Sequence, residues 1–202
     1  MELELKKECL DTYELGEPQT LTQEETAETI VPDYCPDIAR IISAEGVVCL
    51  HGGTEQDGVT GTVRVTVLYT PEDESGVRAL EFAMPFSAQG EGLAGCAHVA
   101  AETEIELLES RMLNPRKIFT RCKLVTHLAG CRKVCLTISS DAETDPALLV
   151  EKRCCGQTVS LLRQVAEKDL TFSETMSLSL GREGAAELLH CRANGIVTET
   201  KA

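Results

Sequence analysis

Between Val59 and Tyr69 the chain alternates by side: Val59, Val63, Val65, Val67 and Tyr69 fall on one face, and Thr60, Thr62, Arg64 and Thr66 on the other. A period of two sends successive side chains to opposite faces of a strand, so this segment must be half buried against a second apolar layer. Pro71 to Gly76 supplies a polar turn and Val77 to Phe86 a second apolar run, which together predict a hairpin. Pro85 suits an edge strand or a strand end, where a missing N–H costs nothing.

The middle of the chain continues in the same manner. Ile118, Thr120, Cys122 and Leu124 alternate with Phe119, Arg121, Lys123 and Val125, and Arg132 to Ser139 is another β-branched run. Met112 to Lys117, with Asn114 and Pro115 at its centre, predicts a turn between strands. Ala97 to Ser110 has the Ala and Glu content of a helix but alternates at Val99, Ala101, Thr103, Ile105 and Leu107, and its neighbours favour a strand. Pro36 and Asp37 followed by Ile38, Ile41 and Ile42 predict a short amphipathic helix that Gly46 ends. The expected fold is mainly β: an antiparallel, sandwich-like domain with one or two short helices, followed by a partial second copy.

Charge narrows the functional classes. The 33 Asp and Glu against 19 Lys and Arg leave a net charge of −14, a field that repels phosphate backbones and anionic lipid surfaces. With no Trp, 3 Tyr and 4 Phe there is little to stack bases or line a sugar groove. Nucleic acid is therefore excluded as a partner. The longest stretch without a charge, Gly92 to Ala101, is about half of the roughly 20 apolar residues of a spanning helix, so no transmembrane segment is expected. Met1 to Lys7 carries acids where a secretory signal needs a basic and then an apolar region, which predicts a cytoplasmic chain with its 10 cysteines reduced.

An internal echo runs at one offset of 149 residues: Leu21-Thr22, Glu25-Thr26 and Gly46 recur as Leu170-Thr171, Glu174-Thr175 and Gly195. In both copies a Thr/Glu-rich lead-in precedes an apolar strand (Glu28 to Pro32, Met176 to Leu180), a helix candidate (Ile38 to Ile42, Ala185 to Cys191), a Gly and a strand. This predicts a β domain over 1–140, a linker or strand over 141–160 and an incomplete second repeat over 161–202, with an exposed edge at Gly195 to Thr200. On this reading the chain is a truncated or degenerate form of a tandem-domain protein.

Few motifs point to catalysis. Gly90-Glu91-Gly92-Leu93-Ala94-Gly95 fits G-x-G-x-x-G, but no βαβ alternation surrounds it and Glu91 stands where a pyrophosphate would approach; an inter-strand loop is expected. His51-Gly52-Gly53 would suit an oxyanion loop only beside a G-x-S-x-G elbow, which the sequence lacks. The histidines at 51, 98, 127 and 190 stand apart, and the carboxylate runs around Glu24, Glu72 and Glu104 suit a solvated surface. No catalytic, cofactor-binding or metal-ligating residue is assigned and no cofactor is expected. The alternative is a small metal- or thiol-dependent protein using Cys131, Cys135, Cys154 and Cys155, although their spacing differs from the usual zinc knuckles.

Three stretches together resemble a known family: Thr22 to Glu28 leading into Val31-Pro32-Asp33-Tyr34-Cys35-Pro36-Asp37-Ile38-Ala39-Arg40-Ile41; Gly61 to Tyr69; and Arg111-Met112-Leu113-Asn114-Pro115-Arg116-Lys117. This ensemble is similar to the SPOCS domain of the SipL family of spore-forming Firmicutes, over the chain to about Ser140 and again more weakly from Leu161. The resemblance implies a non-enzymatic interaction or scaffold module in spore envelope (coat) assembly. It would work in the mother cell, at the forespore periphery, beside the coat-basement ATPase SpoIVA. Family members carry two SPOCS copies and a LysM domain that grips SpoIVA; the present sequence holds no LysM segment, so that contact does not transfer. The family-motif residues offered as candidate interaction sites are Pro32, Asp33, Pro36, Asp37, Ile38, Arg40, Tyr69, Met112, Asn114, Pro115, Arg116 and Lys117. Self-association through exposed strand edges is the other partner expectation.

Overall fold

A computed structural model describes residues 4–51, 58–73 and 75–143, with single residues and short runs between 151 and 191. Its elements are β1 (Glu4–Leu15), β2 (Gln19–Ile30), β3 (Ile38–Leu50), β4 (Gly58–Pro71), β5 (Arg78–Gln89), β6 (His98–Asn114) and β7 (Lys117–Glu143). All pairings are antiparallel. One sheet is the meander β3-β4-β5; the other is built on β7, with β6 on one edge and β1 and β2 on the other. Gly16 donates its N–H to the Gly130 carbonyl between the two partners on that second edge, at 2.8 Å, so β1 and β2 form one continuous ladder along β7.

The expected β sandwich is present, and its alternation sets the core. Val63, Val65, Val67 and Tyr69 of β4 are fully buried against Ile118, Cys122 and Leu124 of β7, with Leu80, Met84 and Phe86 of β5 completing the layer. The hairpin falls where the turn residues place it, with Tyr69 opposite Arg78 and Gly58 opposite Gln89. Pro85 lies on β5, an edge strand of its sheet. Thr120 and Thr126, buried in the same interior, share hydrogen bonds with Ser110 at 2.8 Å and Thr103 at 3.0 Å, so neither hydroxyl is stranded.

Three sequence expectations are corrected. The helix predicted over Ile38 to Ile42 is the start of β3. Its register with β4 slips between Ile38 and Arg40 and again between Ile41 and Ser43, and each slip inserts one unpaired residue. Two such bulges turn Ile38, Ile41 and Ala44 inward at a spacing of three, which imitates a helical repeat. Gly46, expected to end the helix, lies within the strand; a Cβ there would stand 2.8 Å from Ile105 Cδ1, so glycine is what lets β3 approach β6. The two strands expected over Ile118 to Val125 and Arg132 to Ser139 are one strand, β7. The Thr/Glu-rich lead-in before Glu28 is the body of β2. The helix candidate Ala185 to Cys191, the repeat positions Leu170, Thr171, Glu174 and Gly195, and the edge at Gly195 to Thr200 fall almost wholly outside the described residues.

Beyond Gly130 β7 leaves the sandwich. Every even-numbered residue from Ile118 to Gly130 is buried, and none from Cys131 to Glu143 is. Among the described residues this second half pairs with β1 as a two-stranded ribbon, with Leu10 opposite Leu136 and both more than a third exposed.

Candidate functional site

The chain crosses from one sheet to the other through Val31 to Asp37, between β2 and β3. Pro32 and Pro36 fix φ and withhold N–H donors, so the crossover cannot close on itself by a regular ladder. A single turn forms, Cys35 N–H to the Pro32 carbonyl at 2.9 Å. The remaining polar groups are met from across the fold by the turn between β6 and β7. Asn114 Oδ1 accepts the Arg116 backbone N–H at 2.9 Å, an Asx turn that sets this reversal. The carbonyls of Pro115 and Arg116 then face the crossover, accepting from Ile38 N–H and Val31 N–H, both at 2.9 Å.

Into the loop so formed the Arg116 guanidinium projects, half buried. One terminal nitrogen donates to the Cys35 carbonyl at 2.7 Å and to Asp37 Oδ1 at 3.0 Å. The other donates to the Val31 carbonyl at 3.0 Å and to Asp33 Oδ1 at 3.1 Å. A planar fork with fixed donors can reach four acceptors at once; a lysine ammonium at the same point cannot. Asp33 is fully exposed and adds little by charge, so the two carbonyls and Asp37 carry most of the hold.

Tyr69, buried at the end of β4, donates from its hydroxyl to the Pro36 carbonyl at 3.4 Å. Burial, and after it the neighbouring Cys35, raises its pKa above the ordinary phenol value. Glu72 N–H closes on the Asp37 carbonyl at 2.9 Å. Beside the clamp opens a cleft of about 690 Å³ lined in part by Asp33, Tyr34, Tyr69, Asp73 and Arg78. Tyr34 stands 88% exposed at its rim, and Arg78 Nε is buried without a hydrogen-bond partner among the described residues. Neither was among the residues singled out from sequence. An aromatic at the centre of an otherwise polar crossover was the available signal for Tyr34; nothing local marks Arg78.

Of the residues offered from sequence as candidate interaction sites, Pro32, Asp33, Pro36, Asp37, Ile38, Tyr69, Asn114, Pro115 and Arg116 thus meet at one end of the sandwich. Arg40 lies further along β3 with its side chain exposed and its carbonyl accepting from Thr70. Met112, opposite Ile118, is 40% exposed, and Lys117 pairs with Glu28 across the outer face.

The other motifs are dispersed. Gly90 to Gly95 forms part of the β5–β6 connection, with Gly92 and Gly95 at φ +68° and +77°, Leu93 buried and the Glu91 N–H held by Gln19 Oε1 at 2.9 Å. Strand β6 follows it, so no helix end is aimed at a phosphate. His51, His127 and His190 sit with Thr62, Thr20 and Glu45 respectively, and His98 packs near Tyr13.

The cysteines divide. Cys131 and Cys135 share β7, Cys154 and Cys155 lie outside the described residues, and no group of three or more potential metal ligands occurs among the described ones. Cys135 is joined to Cys9 as a disulfide, Cα atoms 5.6 Å apart, against the expectation of reduced thiols throughout. The register explains the contact: Cys9 faces Thr137 and Asp11 faces Cys135, so the two cysteines are diagonal neighbours on one face of the ribbon.

Among the described residues no helix is long and apolar enough to cross a membrane. Comparison with known proteins returns no matching family model, curated protein or solved structure.

Proposed function

We propose that this chain is a non-catalytic interaction or scaffold module of the SPOCS type, acting in spore envelope assembly at the forespore surface. One observation carries the reading. Two of the three stretches on which the resemblance rests, separated by 79 positions at Asp37 and Arg116, are the two halves of one clamp. Enclosing Arg116 gives these two stretches a shared physical task. The clamp orders the crossover and presents Tyr34 and Asp33 at its surface beside a cleft, an arrangement suited to holding a partner segment. A SpoIVA-like protein is the partner class the resemblance suggests, through a contact other than LysM.

The test is localisation of the tagged chain in a sporulating host, with and without SpoIVA. A ring at the forespore periphery that disappears without SpoIVA is the expected result. Diffuse signal in the mother cell in both strains overturns the envelope role.

A further inference from the structure

Two neighbouring residues from the last part of the chain rest on the sandwich at the clamp end. Leu189 lines the cleft, and His190 Nε2 donates to Glu45 Oε2 at 3.2 Å with its side chain only 19% exposed. Glu45 belongs to β3, and Ala79, which lines the cleft with Leu189, belongs to β5. The pair thus reaches both edge strands of the β3-β4-β5 sheet.

The sheet carries the mark of that crossing. Val65 and Val67 are fully buried in the core, so alternation turns Arg64, Thr66 and Leu68 of β4 to the outer face. Thr66 lies opposite Glu45, and Leu68 lies opposite Ala79. Arg64 is exposed, as an outward residue should be, but Thr66 is only 5% exposed and Leu68 and Ala79 are half buried. Burial of the outer face therefore rises toward the cleft, in the rows where His190 and Leu189 lie.

Neither anchor is strong. Glu45 is half exposed, which screens its pairing with His190, and Leu189 is half buried. Covalent attachment is what favours the contact, because a segment of the same chain meets the cleft at high effective concentration. Contacts this light yield to any partner that binds the open cleft better.

We infer that Leu189 and His190 are an autoinhibitory strap: the His190–Glu45 contact holds Leu189 at the cleft, and the cleft opens to a partner segment when the strap lifts. The inference rests on the scaffold reading above, which makes the cleft an interaction site.

Cys35, a free and half-buried thiol in the cleft lining, reports the state of the strap. The readout is the rate at which a bulky maleimide modifies Cys35 in the native full chain, followed by peptide mass spectrometry. His190→Glu sets two carboxylates against each other and should speed modification about 10-fold, and Leu189→Ser should act in the same direction. Adding Glu45→Lys to His190→Glu rebuilds the pair with its charges reversed and should bring the rate back to that of the wild type. Slow modification of the buried Cys122 in each variant shows that the fold is intact. Cys35 rates that are equal in the wild type and the variants overturn the inference, as does an acceleration in His190→Glu that Glu45→Lys fails to reverse. Equal rates in a chain that rings the forespore defeat the strap and leave the envelope role standing; a strap that passes in a chain whose signal stays diffuse does the reverse.

Discussion

The two halves of β7 share a backbone and an alternation but differ in what lies over them. From Lys117 to Gly130 the strand runs between β2 and β6 and under β4, and its even positions disappear into the core. From Cys131 to Glu143 its strand partner among the described residues is β1, and no described strand lies over Val134, Leu136 and Ile138, which share a face with Ile118 and Leu124. Apolar patterning thus continues past the point where the fold can use it. A two-stranded ribbon is marginal in water by itself, so this half depends on its root at Gly130, its disulfide to Cys9, or a partner.

The sharpest way to break the comparison is to truncate one leucine in each half. Leu124→Ala removes a fully buried side chain and should cost about 3 to 4 kcal/mol in denaturant unfolding. Leu136→Ala, identical in chemistry, should cost no more than about 1 to 1.5 kcal/mol because more than a third of the residue is already in water. Equal losses would mean that the ribbon is packed as firmly as the body.

How much of this was legible in the sequence follows the same division. Strict period two at Val59 to Tyr69 and the alternation at Ile118 to Leu124 gave strands of the right kind, because both faces of those segments have settled environments. The Ile38 to Ile42 segment misled because bulges, which depend on the partner strand, convert period two into three. β1 went unassigned since it contributes almost nothing to the core: from Leu5 to Leu15 only Thr12 is buried. At the site, Arg116 and its acidic partners were each visible, but their meeting across 79 positions is a property of topology that local pattern does not encode.

The clamp and the disulfide come next in expected effect. Arg116→Lys keeps the charge but loses the fork, and should destabilise the fold by about 2 to 3 kcal/mol, leaving buried carbonyls of the crossover without donors. If Arg116→Lys unfolds with the wild type, the crossover is held by its turn carbonyls alone. Reducing Cys9–Cys135 should act almost entirely on the ribbon. Amide exchange in β1 and in residues 131 to 143 should accelerate at least about 10-fold while β4 and β5 keep their protection, because a cross-link at one end constrains chiefly the strands it joins. Loss of protection throughout would show that the ribbon and the body unfold as one unit.

The smallest effect separates the halves by chemistry. Cys122 lies in the buried half, where burial and, after it, the carboxylate of Glu25 push its thiol up to about 11 from an ordinary 9.0. Its thiolate is therefore about 100-fold scarcer near neutral pH than that of a free cysteine, and alkylation of native protein should be slower by at least that factor. Cys131, at the root of the ribbon and partly accessible, should label faster than Cys122. The folded state holds the Cys122 proton more tightly than the unfolded chain does, so this contribution to stability is complete below pH 9. It declines as pH rises from there through about 11. Replacing the thiol by Cys122→Ala should flatten the pH dependence over that window at the expense of a small cavity. A wild-type stability that holds constant from pH 8.5 to 11 would mean that the buried half of β7 opens to water readily, and that its difference from the ribbon is one of degree.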